Sequence, residues 1–316
     1  MSQRIGLVGD VLGTGQAAYD PANLRAARSD RTRWLGNAIL ISALCMAGWA
    51  ATVLWREPVT RWFAISASIW LAVLVATAAW QRRGSVISIA ATALSVTVIA
   101  RLFSILRLHP PTSLAGMTAE QLDLQVATGP GIPGFEIVGW ALGAMLFARF
   151  VSRAADSQVS GGSRSVPEYA IALTFIRVYL GLMFVPHFAS HILGGPFQFA
   201  VYTVYFQSLG LHLPAMQVLL AGTIELITAV ALVLGLAVRP VALLGCAYLM
   251  MSMLWGGHFH VGYVWALPEG GYEFGLFWAG MIAVFAVIGA GPFSVDHVIV
   301  QRWRLPLPRV SRALFG

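Results

Sequence analysis

Charge is what this chain has least of. Only 10% of its 316 residues are Asp, Glu, Lys or Arg, against about 25% in soluble domains, while 58% are hydrophobic and the mean hydropathy is +0.75. That balance excludes an ordinary soluble domain and implies a polytopic membrane protein. Cysteine is scarce too: Cys45 and Cys246 each stand alone in an apolar run, with no CxxC pair. A membrane thiol–disulfide oxidoreductase, which needs a dithiol near an aqueous face, is therefore disfavoured. The stretch 1–34 is polar and basic and lacks an apolar h-region, so it reads as a retained cytoplasmic segment, not a cleaved signal peptide. The net charge of +7 invites a nucleic-acid partner, but most Arg residues flank apolar runs, where they act as topology signals and anionic-lipid contacts.

What the chain has in abundance is apolar runs of spanning length. They cover 35–54, 62–80, 86–106, 135–151, 169–193, 213–236, 240–255 and 272–290, eight in all, of which the seventh is short. At 1.5 Å per residue about 20 residues cross a ~30 Å hydrocarbon core. Arg25, Arg28, Arg31 and Arg33 precede the first run; Arg82, Arg83, Arg153, Arg164, Arg239, Arg302, Arg304, Arg309 and Arg312 follow the even-numbered ones. The alternate connections hold few cations, so the positive-inside rule puts both termini in the cytoplasm of a bacterial inner-membrane protein. The Ser/Gly-rich segment 157–167 divides the chain into a first four-helix unit, 35–156, and a second, 168–298, with a basic cytoplasmic tail, 299–316. No motif repeats between the halves. Segment 194–214, aromatic and uncharged, reads as re-entrant or interfacial.

The second half carries the chemistry. Arg177 interrupts the fifth run, where a charge costs about 2.5–3.5 kcal/mol at helix centre, and Glu225 interrupts the sixth at similar depth. The two form a candidate structural polar core, either a clamp between helices or a site where Glu225 relays protons or binds a headgroup. His187 and His191, spaced i, i+4, share a helix face; His258 and His260 lie beyond the seventh run, and Glu273 opens the eighth. His187, His191, His258 and Glu273 are the candidate ligand-binding set. Imidazoles and a carboxylate suit a metal, but no HExxH or similar spacing occurs. Bis-His haem is open to His187 and His258. A quinone headgroup needs donors to its carbonyls and a proton carrier near pH 7, which His and Glu supply, with Phe188, Trp255 and Tyr263 to flank a ring. Plain boundary histidines satisfied by water are the fourth reading. In the first half, Arg101 and Glu136 can pair, Arg149 is placed to snorkel, and Trp34, Trp55, Trp62 and Trp80 read as interfacial anchors.

With these residues in place, the second half resembles the DoxX/DoxD family of small four-helix membrane proteins. The matching positions are Arg177, Leu180, Gly181, Phe184 and His187; Gly222, Glu225 and Leu226; Gly235 and Arg239; His258 or His260 followed by Glu273; and Gly289, Gly291, Ser294 and Asp296. The resemblance implies a four-helix bundle with Arg and Glu as characteristic polar positions. In some members it implies a membrane subunit of thiosulfate:quinone oxidoreductase. The expectation is thus an all-α integral membrane protein that is redox-associated and binds a quinone or similar amphiphile near the outer face. The alternative is a non-catalytic accessory subunit stabilising a larger electron-transfer complex, with protein partners in the membrane met through its lipid-facing spans and long outer loops.

Overall fold

The structure is a computed structural model. It describes residues 21–110, 113–118, 121–122, 132, 134–159, 168–266 and 270–303. Among these residues there is helix and no strand. Helix α1 covers Pro21–Arg56, α2 Arg61–Gln81, α3 Val86–Ile105, α4 Phe135–Val159 and α5 Glu168–Leu182; a short α6, Val185–Phe188, runs into a π turn, Ala189–Leu193. Beyond it lie α7 Pro196–Ser208, α8 Pro214–Leu234, α9 Val238–Trp255, α10 His258–Val261, α11 Glu273–Ile288 and α12 Val295–Trp303.

Among the described residues seven stretches are long and apolar enough to cross a membrane: α1, α2, α3, α4, the compound segment Tyr169–Leu193, α8 and α9. The shorter apolar helix is α11, with 16 residues, not the seventh run, because α9 starts two residues earlier than expected, at Val238, and reaches 18. Helix α1 begins within the basic segment at Pro21, and α4 continues into the Ser/Gly-rich segment as far as Val159. Residues 160–167 lie outside the described ones.

In the first half α1, α2, α3 and α4 pack successively, and α4 returns to α1; in the second, α5, α8, α9 and α11 do the same, with α11 returning to α5. Helix α3 joins the halves. Of its spanning window 72% is buried, against 28% for α1, α2 and α4, and it touches α5, α6, the π turn and α8. Its composition suits that place: Ser88, Ala90, Ala91, Thr92 and Ser95 let neighbours approach closely, and the hydroxyls of Thr92 and Ser95 donate to Ser88 O and Ala91 O in their own helix, at 2.7 and 2.8 Å. One apolar core runs through both halves, from Ile39 to Phe285.

Two devices settle the remaining polar backbone. Arg149, expected to snorkel, is 0% exposed and its Nη2 donates to Gln81 O at 3.0 Å and Arg82 O at 3.3 Å. The last carbonyls of a helix have no partner within it, so a guanidinium at the end of α2 is worth more there than in the headgroup layer. Gln81 Nε2 donates in turn to Gly36 O at 2.8 Å, and a Cβ at Gly36 would stand 2.8 Å from the Arg149 guanidinium. Second, the fifth span is broken, although no broken helix is evident in the sequence pattern. Pro186 has no N–H to give back along the helix, so α5 ends in a turn at Met183–Phe184, and the chain resumes as α6 and closes as a π turn.

Candidate functional site

The described turns at 57–60, 106–110 and 194–198 gather at one end of the bundle, called here the distal end; 82–85 and 235–237, at the other ends of the helices they join, mark the proximal end. The polar side chains of the second half fall into three places between them.

The first is the His191 network. The π turn drops His191 inward, where it is 5% exposed, and its Nδ1 lies 2.6 Å from Oε2 of Glu225, itself 2% exposed. The other oxygen, Oε1, accepts the hydroxyl of Tyr248 on α9. Tyr202 on α7 meets the His191 ring edge-on at 4.2 Å and Phe206 closes a further side at 6.0 Å. The turn is held from both sides: Ser190 Oγ donates to Pro186 O at 2.7 Å, and Arg101 Nη2 donates to Ser190 Oγ at 3.4 Å. Gly222, one helical turn before Glu225, makes the approach possible, since a Cβ there would fall 2.6 Å from Ile192 Cγ2 and 2.9 Å from His191 Cβ. A carboxylate shared between an imidazole and a phenol can hold or pass a proton with both of its oxygens already oriented.

The second is an aromatic row. His187 does not share its environment with His191, because the change from α to π winding between them turns the two rings toward different neighbours. His187 is exposed and packs against Trp278 at 5.6 Å. From Trp278 the row continues to Phe274 at 6.0 Å, Trp265 at 5.3 Å and His258 at 6.0 Å. His258 Nδ1 lies 2.7 Å from Gly270 O, and Glu273 Oε2 accepts the Trp265 N–H at 3.2 Å. Trp278 Nε1 is buried without a hydrogen-bond partner. The expected set of His187, His191, His258 and Glu273 is therefore split: three members lie along this row and His191 lies in the buried network. His260 is exposed.

The third place is the proximal end, and it corrects the expected Arg177–Glu225 pair. Arg177, 1% exposed, donates from Nη1 to Leu232 O and from Nη2 to Phe293 O, the latter at 2.9 Å. Glu225 lies two turns deeper along α8, committed to His191 and Tyr248. Arg177 is drawn instead to the open carbonyls at the end of α8, as Arg149 is drawn to those of α2. Gly235, in the left-handed region at φ 71°, leaves room for it: a Cβ would be 2.5 Å from Nη1. Asp296 closes the node, accepting from the Ala237 and Val238 N–H groups at 2.8 and 3.2 Å. Burial pushes its carboxyl above the ordinary range, against the pull of those two N–H groups and of Arg177.

Among the described residues no three His, Cys, Asp or Glu side chains converge as a metal site. Tyr248, Tyr202, Ser190 and Trp278 lie outside the sequence-based set, because nothing in the sequence pattern says which helices they face.

Apolar helices of spanning length with polar groups buried between them define a multi-pass integral membrane protein. The second half carries a DoxX domain: the DoxX family model matches residues 172–258. That range includes Arg177, His187, His191, Glu225, Tyr248 and His258, and stops before Glu273 and Asp296, short of the expected 168–298. No curated protein and no solved structure matches the chain.

Proposed function

We propose that this membrane protein binds a quinone or a similar redox-active amphiphile in its DoxX-containing half, in a redox-associated role, with His191, Glu225 and Tyr248 supplying one of the two protons the ring takes up when an electron-donating partner protein reduces it by two electrons to the quinol. The observation that carries this reading is the carboxylate of Glu225 bridging an imidazole and a phenol between α6, α8 and α9. A purely structural clamp has no need of an imidazole, the one side chain whose ordinary range spans neutral pH. Tyr202 and Phe206 supply flat surfaces beside His191 for a ring. His187, His258 and Glu273 are proposed to serve the entry side, along the aromatic row, where Trp278 Nε1 has a hydrogen bond still to give. The bacterial inner membrane, with both termini cytoplasmic, remains the proposed location, which puts the distal end outside.

The test is quinone titration of the full-length protein in lipid nanodiscs, read by tryptophan fluorescence quenching with a short-chain benzoquinone. Wild type is expected to bind saturably. Tyr248→Phe and His191→Leu, each removing one hydrogen bond to a buried carboxylate, are expected to weaken binding about tenfold. Equal affinity in wild type and both folded variants would overturn the assignment.

A further inference from the structure

A second site lies outside the three polar places described above. At the distal end the turn after α1, the end of α3 and the start of α7 enclose a cavity of about 180 Å³, lined by Val59, Thr60, Leu106, Arg107, Phe197 and Gln198. It sits on the seam between the two halves, where Trp62 Nε1 donates to Ile192 O at 2.9 Å and Gln198 Nε2 donates to Ile105 O.

Three features make it a place for an anion that also carries a donor. Arg107 stands over the Phe197 ring at 5.6 Å and lines the cavity, and partial burial pushes its guanidinium below the ordinary arginine value. Two helices begin here. Thr60 caps α2, accepting the Phe63 N–H at 3.3 Å, while α7 starts after Gly195 with no side-chain cap, leaving the first-turn N–H groups of Phe197 and Gln198 without an acceptor in the helix. The third feature is a buried acceptor. Gln198 is 1% exposed, its Nε2 is committed to Ile105 O, and its Oε1 has no partner. Turning the amide over would only break the bond to Ile105. An acceptor left bare in this way carries an unreturned desolvation cost, which a ligand hydroxyl or ammonium would recover.

The depth of the cavity narrows the ligand. It opens where α1, α2, α3 and the fifth span all end, at the level of lipid headgroups, and Val59, Phe63 and Leu106 give its wall an apolar part. We propose that this cavity binds the headgroup of a glycerophospholipid carrying a hydrogen-bond donor, of the phosphatidylethanolamine or phosphatidylglycerol kind. The phosphate sits against Arg107 and the starts of α2 and α7, and the ammonium or glycerol hydroxyl donates to Gln198 Oε1. A lipid held there would brace the seam between the halves.

The test uses the full-length protein, delipidated in detergent, titrated with dihexanoyl phosphatidylethanolamine, phosphatidylglycerol and phosphatidylcholine, and with inorganic phosphate, by native mass spectrometry and thermal shift. The first two lipids are expected to bind about tenfold more tightly than phosphatidylcholine, whose choline has no N–H or O–H to give. Arg107→Gln is expected to weaken all three lipids, and Gln198→Met to abolish the preference among them. If Gln198→Met fails to fold, the lipid series on wild type and Arg107→Gln carries the test. Equal binding of the three lipids, binding untouched by Arg107→Gln, or displacement by inorganic phosphate at the lipid's own concentration would each overturn the proposal, the last by assigning the site to a free anion.

Discussion

Arg149 and Arg177 each sit where a spanning helix ends inside the protein, and each turns its guanidinium onto main-chain carbonyls: Gln81 and Arg82 for the one, Leu232 and Phe293 for the other. A planar fork with several donors can satisfy two carbonyls at once, which a single ammonium does less well. Replacing either Arg by Met keeps the length and leaves the carbonyls bare. Each replacement is expected to lower stability by about 2 kcal/mol, measured by denaturant titration in micelles, with quinone affinity less affected than by Tyr248→Phe. The sequence shows Arg177 deep in its apolar run and Arg149 near the end of its own, but not what they hold. Depth along a helix can be counted from residue numbers, and it put Arg177 level with Glu225; which carbonyls are left open depends on where α2 and α8 end, and that is a fact of the turns.

The decisive element is the broken fifth span. A continuous helix would carry His187 and His191 on one face toward one partner. Pro186 and the π turn after Phe188 separate them, sending His191 to Glu225 and His187 to Trp278. The break was legible only as Pro186, since a proline within an apolar run can also be absorbed as a kink. Helix α8 matches the turn with Gly222 at the point of closest approach. Gly222→Val would push α8 off the π turn, and is expected to cost about 1–3 kcal/mol and to weaken quinone binding together with stability. Those two losses, measured on the same detergent-solubilised sample, should move in parallel; binding lost with stability unchanged would mean that Gly222 touches the ligand and not the helix packing.

At the scale of the whole molecule, run length gives the all-helical membrane class, because this depends on composition over many residues; where the sequence shows eight runs, the described residues hold seven helices of spanning length and one shorter apolar helix. The resemblance found in Arg177, Gly222, Glu225 and Gly235 locates the DoxX domain. How the halves meet is not written in composition: Trp62, which looks like an interfacial anchor, ties α2 to Ile192, and Arg101 reaches Ser190 beside the His191 network. The first half is therefore in contact with the candidate site through α3 and α2, not merely a surface for docking. The central claim is that Glu225 and its two partners exchange a proton with a bound quinone. Redox-induced infrared difference spectroscopy on the quinone-loaded protein tests it most directly. A carboxyl band that shifts on quinone reduction in wild type and disappears in Glu225→Gln is the predicted result; a spectrum with no carboxyl change, or one that Glu225→Gln leaves intact, would contradict it.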